Sequence, residues 1–178
     1  MLEKYCARCC LLLTLAALIP GAATDATTLE IRSGADLVSG SQAIVVGRCA
    51  AVSTEWRDRA LVTRYTITVD DALKGEVGSE LTLYLPGGVD NDRKIPIAVT
   101  VPGAPTLFAR EEVLLFLQDV PEAGGYSLLS LAQGKHTVHR DPGGEGWLTF
   151  ESGGSSIRRS LESVKVEIRA FVAQEEGR

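Results

Sequence analysis

The chain has 178 residues, 23% of them charged, with 18 Lys and Arg against 23 Asp and Glu and a net charge of −5. That balance excludes the basic face a nucleic-acid binder needs, and it gives no attraction to an anionic membrane surface. No internal repeat, linker or low-complexity tract divides the chain.

The first residues read as a leader. Lys4 and Arg8 form a positive opening, an apolar run follows from Cys9 to Ile19, Pro20-Gly21 breaks it, and Ala22-Ala23 supply a small-residue cleavage site. The run falls well short of the roughly 20 apolar residues of a membrane-spanning helix. Residues 1–23 are therefore expected to be a secretory signal peptide, and residues 24–178 one exported domain, periplasmic or extracellular, with no integral membrane span. Cleavage would remove Glu3, Lys4 and Arg8 together with Cys6, Cys9 and Cys10. The net charge would move from −5 to −6 and Cys49 would be the single thiol. Without a disulfide, such a domain has to be held by its core. Cys49 lies in the apolar stretch 43–52 and reads as a small buried hydrophobe.

Residues 28–41 predict a short N-terminal helix, with Ser33 as cap and Leu37 and Val38 facing the core. A strand is expected over 44–52, where Ile44, Val45, Val46 and Val52 are apolar on both sides of the alternation, a sign of burial on two faces. Residues 53–60, rich in charge, read as a hairpin loop carrying Trp56. In 62–73 Tyr65, Ile67 and Val69 alternate with Thr66, Thr68 and Asp70, the pattern of a half-buried strand. Leu81, Leu83 and Leu85 mark a third strand. Between Pro86 and Pro105, Ile95, Ile97, Val99 and Val101 alternate. Pro96 and Pro102 confine that run to an edge strand or extended arm. Strands follow at 113–117 and 126–131, and a last hairpin, 135–139 with 146–150, around Asp141-Pro-Gly-Gly. Leu161, Val164, Ile168, Phe171 and Val172 share one helical face, which predicts an amphipathic helix over 157–174. The fold class expected is all-β: a small OB-like barrel with an extra edge strand or arm, a short N-terminal helix and a C-terminal amphipathic helix.

Three segments carry a resemblance: Ala35-Asp-Leu-Val-Ser-Gly-Ser-Gln-Ala-Ile-Val-Val-Gly-Arg, Tyr65-Thr-Ile-Thr-Val-Asp-Asp-Ala-Leu-Lys-Gly, and Arg110-Glu-Glu-Val-Leu-Leu-Phe-Leu. With Pro86-Gly87-Gly88, Val101-Pro-Gly-Ala-Pro105 and Leu131-Ala-Gln-Gly-Lys135, they resemble a group of uncharacterised secreted bacterial proteins over roughly residues 30–140. Over 36–117 the skeleton is also similar to the netrin-like barrel of the tissue inhibitors of metalloproteinases. That likeness departs at Arg110, where the inhibitor pattern has glycine. It implies a barrel and nothing about activity. Those inhibitors place an N-terminal cysteine on the protease zinc, and no cysteine lies near Thr24.

No residue set commits the chain to a chemistry, a metal or a cofactor. His136 and His139, three apart, would face opposite ways on a strand, and no Cys or carboxylate pattern completes a zinc site beside them. Asp90-Asn91-Asp92 lacks the remaining oxygens of a calcium loop. No Gly-x-Ser-x-Gly frame and no phosphate-cradling Gly-Lys-Ser/Thr pattern is present. A long loop on a rigid barrel is the natural place for function. The binding residues expected are Trp56, Pro86, Gly87, Gly88, Val101, Pro102, Gly103, Pro105, Gly134 and Lys135. The function expected is a non-catalytic exported domain holding a protein or cell-envelope partner through the 86–105 arm. The alternatives are a structural envelope component, or a hydrolase using His136 or His139.

Overall fold

The computed structural model describes residues 32–152 and 155–177. The expected leader, its three cysteines and the start of the N-terminal segment lie outside the described residues. The first helix, α1 (Gly34–Gly40), begins as the sequence predicts. The Asp36 N–H donates to Ser33 Oγ at 3.2 Å, and the Asp36 carboxylate accepts from the Ser33 N–H at 3.2 Å. This reciprocal box satisfies two amides that a helix start leaves unpaired. The helix turns Leu37 and Val38 inward.

The protein is mostly β. Strands β1 (Ala43–Arg57), β2 (Ala60–Lys74), β3 (Glu80–Pro86), β6 (Glu112–Val120), β7 (Gly125–Leu128) and β8 (Lys135–Thr137) form one six-stranded sheet in the order β1-β2-β3-β7-β6-β8. Strand β1 also pairs with β6, antiparallel, from Ala43 opposite Leu117 to Arg48 opposite Glu112. Strands β1, β2, β3, β7 and β6 thus each have a hydrogen-bonded neighbour on both sides. All of these pairings are antiparallel except β3 with β7, which meet in parallel at Leu83 and Tyr126. Between β3 and β6 the chain forms a separate two-stranded sheet, β4 (Gly88–Asp90) with β5 (Ile97–Val99). Strands β9 (His139–Arg140), β10 (Gly146–Ser152) and β11 (Ser155–Ser160) form a third sheet ordered β11-β10-β9. Helix α2 (Leu161–Glu176) ends the described chain.

Two cores explain why β1 and β6 are apolar on both sides. One face of the large sheet gathers Val45, Cys49, Tyr65, Ile67, Leu83, Val113, Leu115 and Leu117. The other face of the same strands offers Ile44, Val46, Leu114 and Phe116 to Val38 of α1, Leu148 of β10, and Leu161, Val164, Ile168 and Val172 of α2. Each such side chain contributes on the order of 1.5–3 kcal/mol when fully buried. Ion pairs hold α2 at its other side: Asp71 on β2 receives Lys165 at 2.8 Å and Arg169 at 2.7 Å.

Several boundaries differ from the sequence reading. Residues 53–60 are not a loop: β1 runs on to Arg57 and β2 begins at Ala60. The turn is Asp58-Arg59 alone, both with positive φ (44° and 73°), the conformation of a tight hairpin. The expected run 95–101 pairs only over Ile97–Val99: Pro96 withholds an N–H at one end, and at the other Gly87 gives its N–H to the Leu61 carbonyl. The expected 126–131 strand closes at Leu128, and Leu131–Gly134 is a 3-10 turn. The expected last hairpin is divided. Lys135–Thr137 joins β6 in the large sheet, while His139–Arg140 pairs with β10. Helix α2 starts at Leu161, not 157. Ile157 lies instead in β11, opposite Phe150, and Ser160 caps the helix by accepting the Ser163 N–H at 3.2 Å.

Candidate functional site

A recess of about 420 Å³ opens between the 86–105 arm and the β1-β2-β3 surface. Its floor follows from strand register. Val52 lies opposite Tyr65, Thr54 opposite Thr63, and Thr63 opposite Leu85, so one cross-strand patch faces the arm. Its wall is Val89 on β4 with the chain from Ala98 to Val101, and Ala104 to Leu107 close it.

Two glycines let the arm lie there. Gly87 has φ +92°, and a Cβ on it would stand 2.6 Å from the Val99 carbonyl oxygen. Gly88 has φ +137°, and its Cβ would run into Thr63 Oγ1 and come within 2.9 Å of Thr54 Cγ2. Left-handed backbone and close approach both demand residues without side chains. Thr63 then fixes the root of the arm, its hydroxyl donating to the Gly87 carbonyl at 2.8 Å, while the Gly87 N–H donates to the Leu61 carbonyl at 2.8 Å.

The expected binding residues divide by place. Pro86, Gly87, Gly88, Val101 and Pro105 line the recess. Pro102 and Gly103 form the turn beside it, where the Ala104 N–H donates to the Val101 carbonyl at 3.1 Å. Trp56 stands on β1, opposite Leu61, instead of at a loop tip. Its indole N–H donates to Asp90 Oδ2 at 2.7 Å, Arg93 Nε donates to the same oxygen at 2.8 Å, and the Arg93 guanidinium lies 5.0 Å from the ring centre. The bonds from Trp56 and then Arg93 hold the Asp90 carboxyl below the usual carboxylate range. Trp56 is thus a strut between β1 and β4. Gly134 is buried at the end of the 3-10 turn, where a Cβ would run into the Leu129 carbonyl oxygen. Lys135 ion-pairs with Glu111 at 2.7 Å.

Of the apolar residues left in water around the arm, the sequence singled out Trp56 alone as a binding residue. Val52, Val89 and Val99 line the recess and stay exposed, and Trp56, Ile95 and Phe108 are exposed on the strut, the arm and its return. Only Ile157 and Val166 are exposed large hydrophobics elsewhere among the described residues.

The two histidines do different things. The His136 ring packs against Phe116 at 5.9 Å and Phe150 at 4.7 Å. Burial pushes its pKa down, against a hydrogen bond to the Gln133 backbone that raises it. His139 stacks on Trp147 at 4.4 Å, whose ring also carries the Arg158 guanidinium at 3.9 Å. Among the described residues no three His, Cys, Asp or Glu side chains gather as a metal site would require. No helix among them is long and apolar enough to cross a membrane. Comparison with family models, curated proteins and solved structures finds no match for the chain.

Proposed function

We propose that this chain is a non-catalytic exported domain that holds a protein or other cell-envelope partner through the 86–105 arm and the recess beneath it. The observation that carries the reading is the concentration of exposed apolar side chains there: Val52, Val89 and Val99 in the recess, with Trp56, Ile95 and Phe108 beside it. Water-exposed apolar residues gathered at a concave site mark contact surfaces. Among the described residues β5 pairs only with β4, and its other edge offers backbone groups with which an extended segment can pair.

The scaffold reading belongs with it. The order β1-β2-β3-β7-β6, with β6 returning to β1 and one parallel contact between β3 and β7, supports a small closed barrel of the OB type. A barrel is what the netrin-like resemblance implies; inhibition in that family depends on an N-terminal cysteine, and no cysteine lies near Thr24, where the proposed cleavage would start the chain. The positive, apolar and small-residue stretches of 1–23 support export. The packing of His136 between Phe116 and Phe150 favours a core role for that ring over hydrolysis.

The test is capture of an envelope partner by the full chain. A Val89→Asp/Val99→Asp variant, folded by circular dichroism, loses the captured protein, whereas Ile157→Asp on β11 retains it. Equal capture by all three sinks the reading.

A further inference from the structure

The segment that returns the arm to the sheet, Thr106 to Phe108, is gripped at both ends. Lys135 Nζ, on β8, donates to the Thr106 carbonyl at 2.9 Å. Glu111 Oε2 accepts the Phe108 N–H at 2.8 Å. Lys135 and Glu111 are joined to each other at 2.7 Å, each with 11% of its side chain exposed, and Thr137 Oγ1 donates to Glu111 Oε1 at 2.6 Å. Leu107 is driven into the core below, 2% exposed, while Thr106 and Leu107 also line the recess.

We infer that Lys135 and Glu111 are positioning residues: a clamp on the return of the arm that sets the wall of the recess without itself meeting the partner. Charge-assisted bonds are short and directional. A mostly buried ion whose partner is removed is strongly destabilised, so the pair stays together and holds the Thr106–Phe108 segment that both residues bond. At its other end the arm hangs from Gly87, tied to Leu61 and Thr63. The arm is therefore held at two roots, with the Trp56–Asp90 bond and the β4–β5 ladder bracing the span between them. Lys135 serves the site through the Thr106 carbonyl, 29 residues away in the chain. The inference rests on the arm being the binding element, and its test separates the two.

Amide hydrogen exchange on the full chain reads the clamp without a partner. In Lys135→Met, exchange at the Phe108 amide, which Glu111 accepts, rises at least tenfold while the Ile44–Val46 amides stay at wild-type protection. Lys135→Arg, which keeps a charged donor, recovers most of that protection. Should Lys135→Met fail to fold, Lys135→Met/Glu111→Gln removes both charges and shows the same local rise. Unchanged exchange at Phe108, an equal rise throughout the strands, or no rescue by arginine overturns the clamp. If the segment loosens and partner capture is unaffected, the clamp stands and the binding role of the arm falls. If Val89→Asp/Val99→Asp abolishes capture while Lys135→Met leaves exchange untouched, the reverse holds.

Discussion

Cys49 shows how one side chain is silenced by its surroundings. It is 1% exposed, its thiol is directed at the Ala51 carbonyl at 3.6 Å, and the chain folds over it where the Cys49 N–H donates to the Glu111 carbonyl at 3.0 Å. Burial pushes its pKa up, the nearby Glu111 carboxylate adds to the rise, and Lys135 opposes both. Thiolate is the reactive form, so a thiol held protonated is inert. Iodoacetamide labelling read by peptide mass is expected to leave Cys49 unmodified in the native protein at pH 8 and to modify it fully in urea. Rapid native labelling would mean that this part of the core opens. The apolar stretch 43–52 made the burial of Cys49 legible. Nothing in the sequence placed Lys135 and Glu111 beside it, because ion pairs between distant residues leave no local pattern. Lys135 drew attention through a motif, and only the fold shows that its ammonium group faces the Thr106 carbonyl and Glu111.

At the scale of elements, alternation was readable where one face is wet and one dry, as in β2 and β3. It failed where both faces are wet. The outer half of β1, 50–57, is exposed or half-buried throughout, so its charged side chains look like a loop even though every residue from Ala51 to Arg57 pairs with β2. Strand β11 was hidden for a related reason. Ile157 fits the spacing of the helix that follows, yet it is exposed, and the helical stripe begins only at Leu161. Ser160 draws that boundary, accepting the Ser163 N–H from an extended backbone. Ser160→Ala is expected to lower stability to urea by about 1 kcal/mol, with Ser160→Asp close to wild type. No loss in Ser160→Ala would mean that the β10–β11 hairpin alone sets the start of the helix.

For the whole molecule, acid response separates into two windows. The folded state holds His136 below its ordinary pKa of 6.5, because burial disfavours the charged ring. Its contribution is thus complete above about pH 6.5 and is lost as the pH falls from there toward the folded value, because the unfolded chain binds the proton first. Glu111 and Glu112 act lower. Burial would raise Glu111, but the bonds from Lys135, Thr137 and the Phe108 N–H outweigh it, and the Arg140 bond leads in lowering Glu112. Depressed carboxylates lose their contribution only as the pH drops below about 4.5 and through their folded values. Urea unfolding free energies between pH 7.5 and 5 should therefore fall in the wild type, by at most about 1.4 kcal/mol per pH unit for one group, and stay level in His136→Phe. Equal slopes in the two proteins would assign the loss to another group.

These windows belong to the scaffold, and the site lies across it: two layers of core fix β1, β2 and β3, and on that rigid surface Gly87 and Gly88 lay an arm whose apolar side chains remain in water. The most direct test of the binding role is calorimetry of the captured partner against the full chain and its Val89→Asp/Val99→Asp variant. Charges placed at a desolvated contact are expected to weaken binding at least about 100-fold, near 3 kcal/mol. Affinities equal within error would contradict the assignment of the arm and its recess as the binding surface.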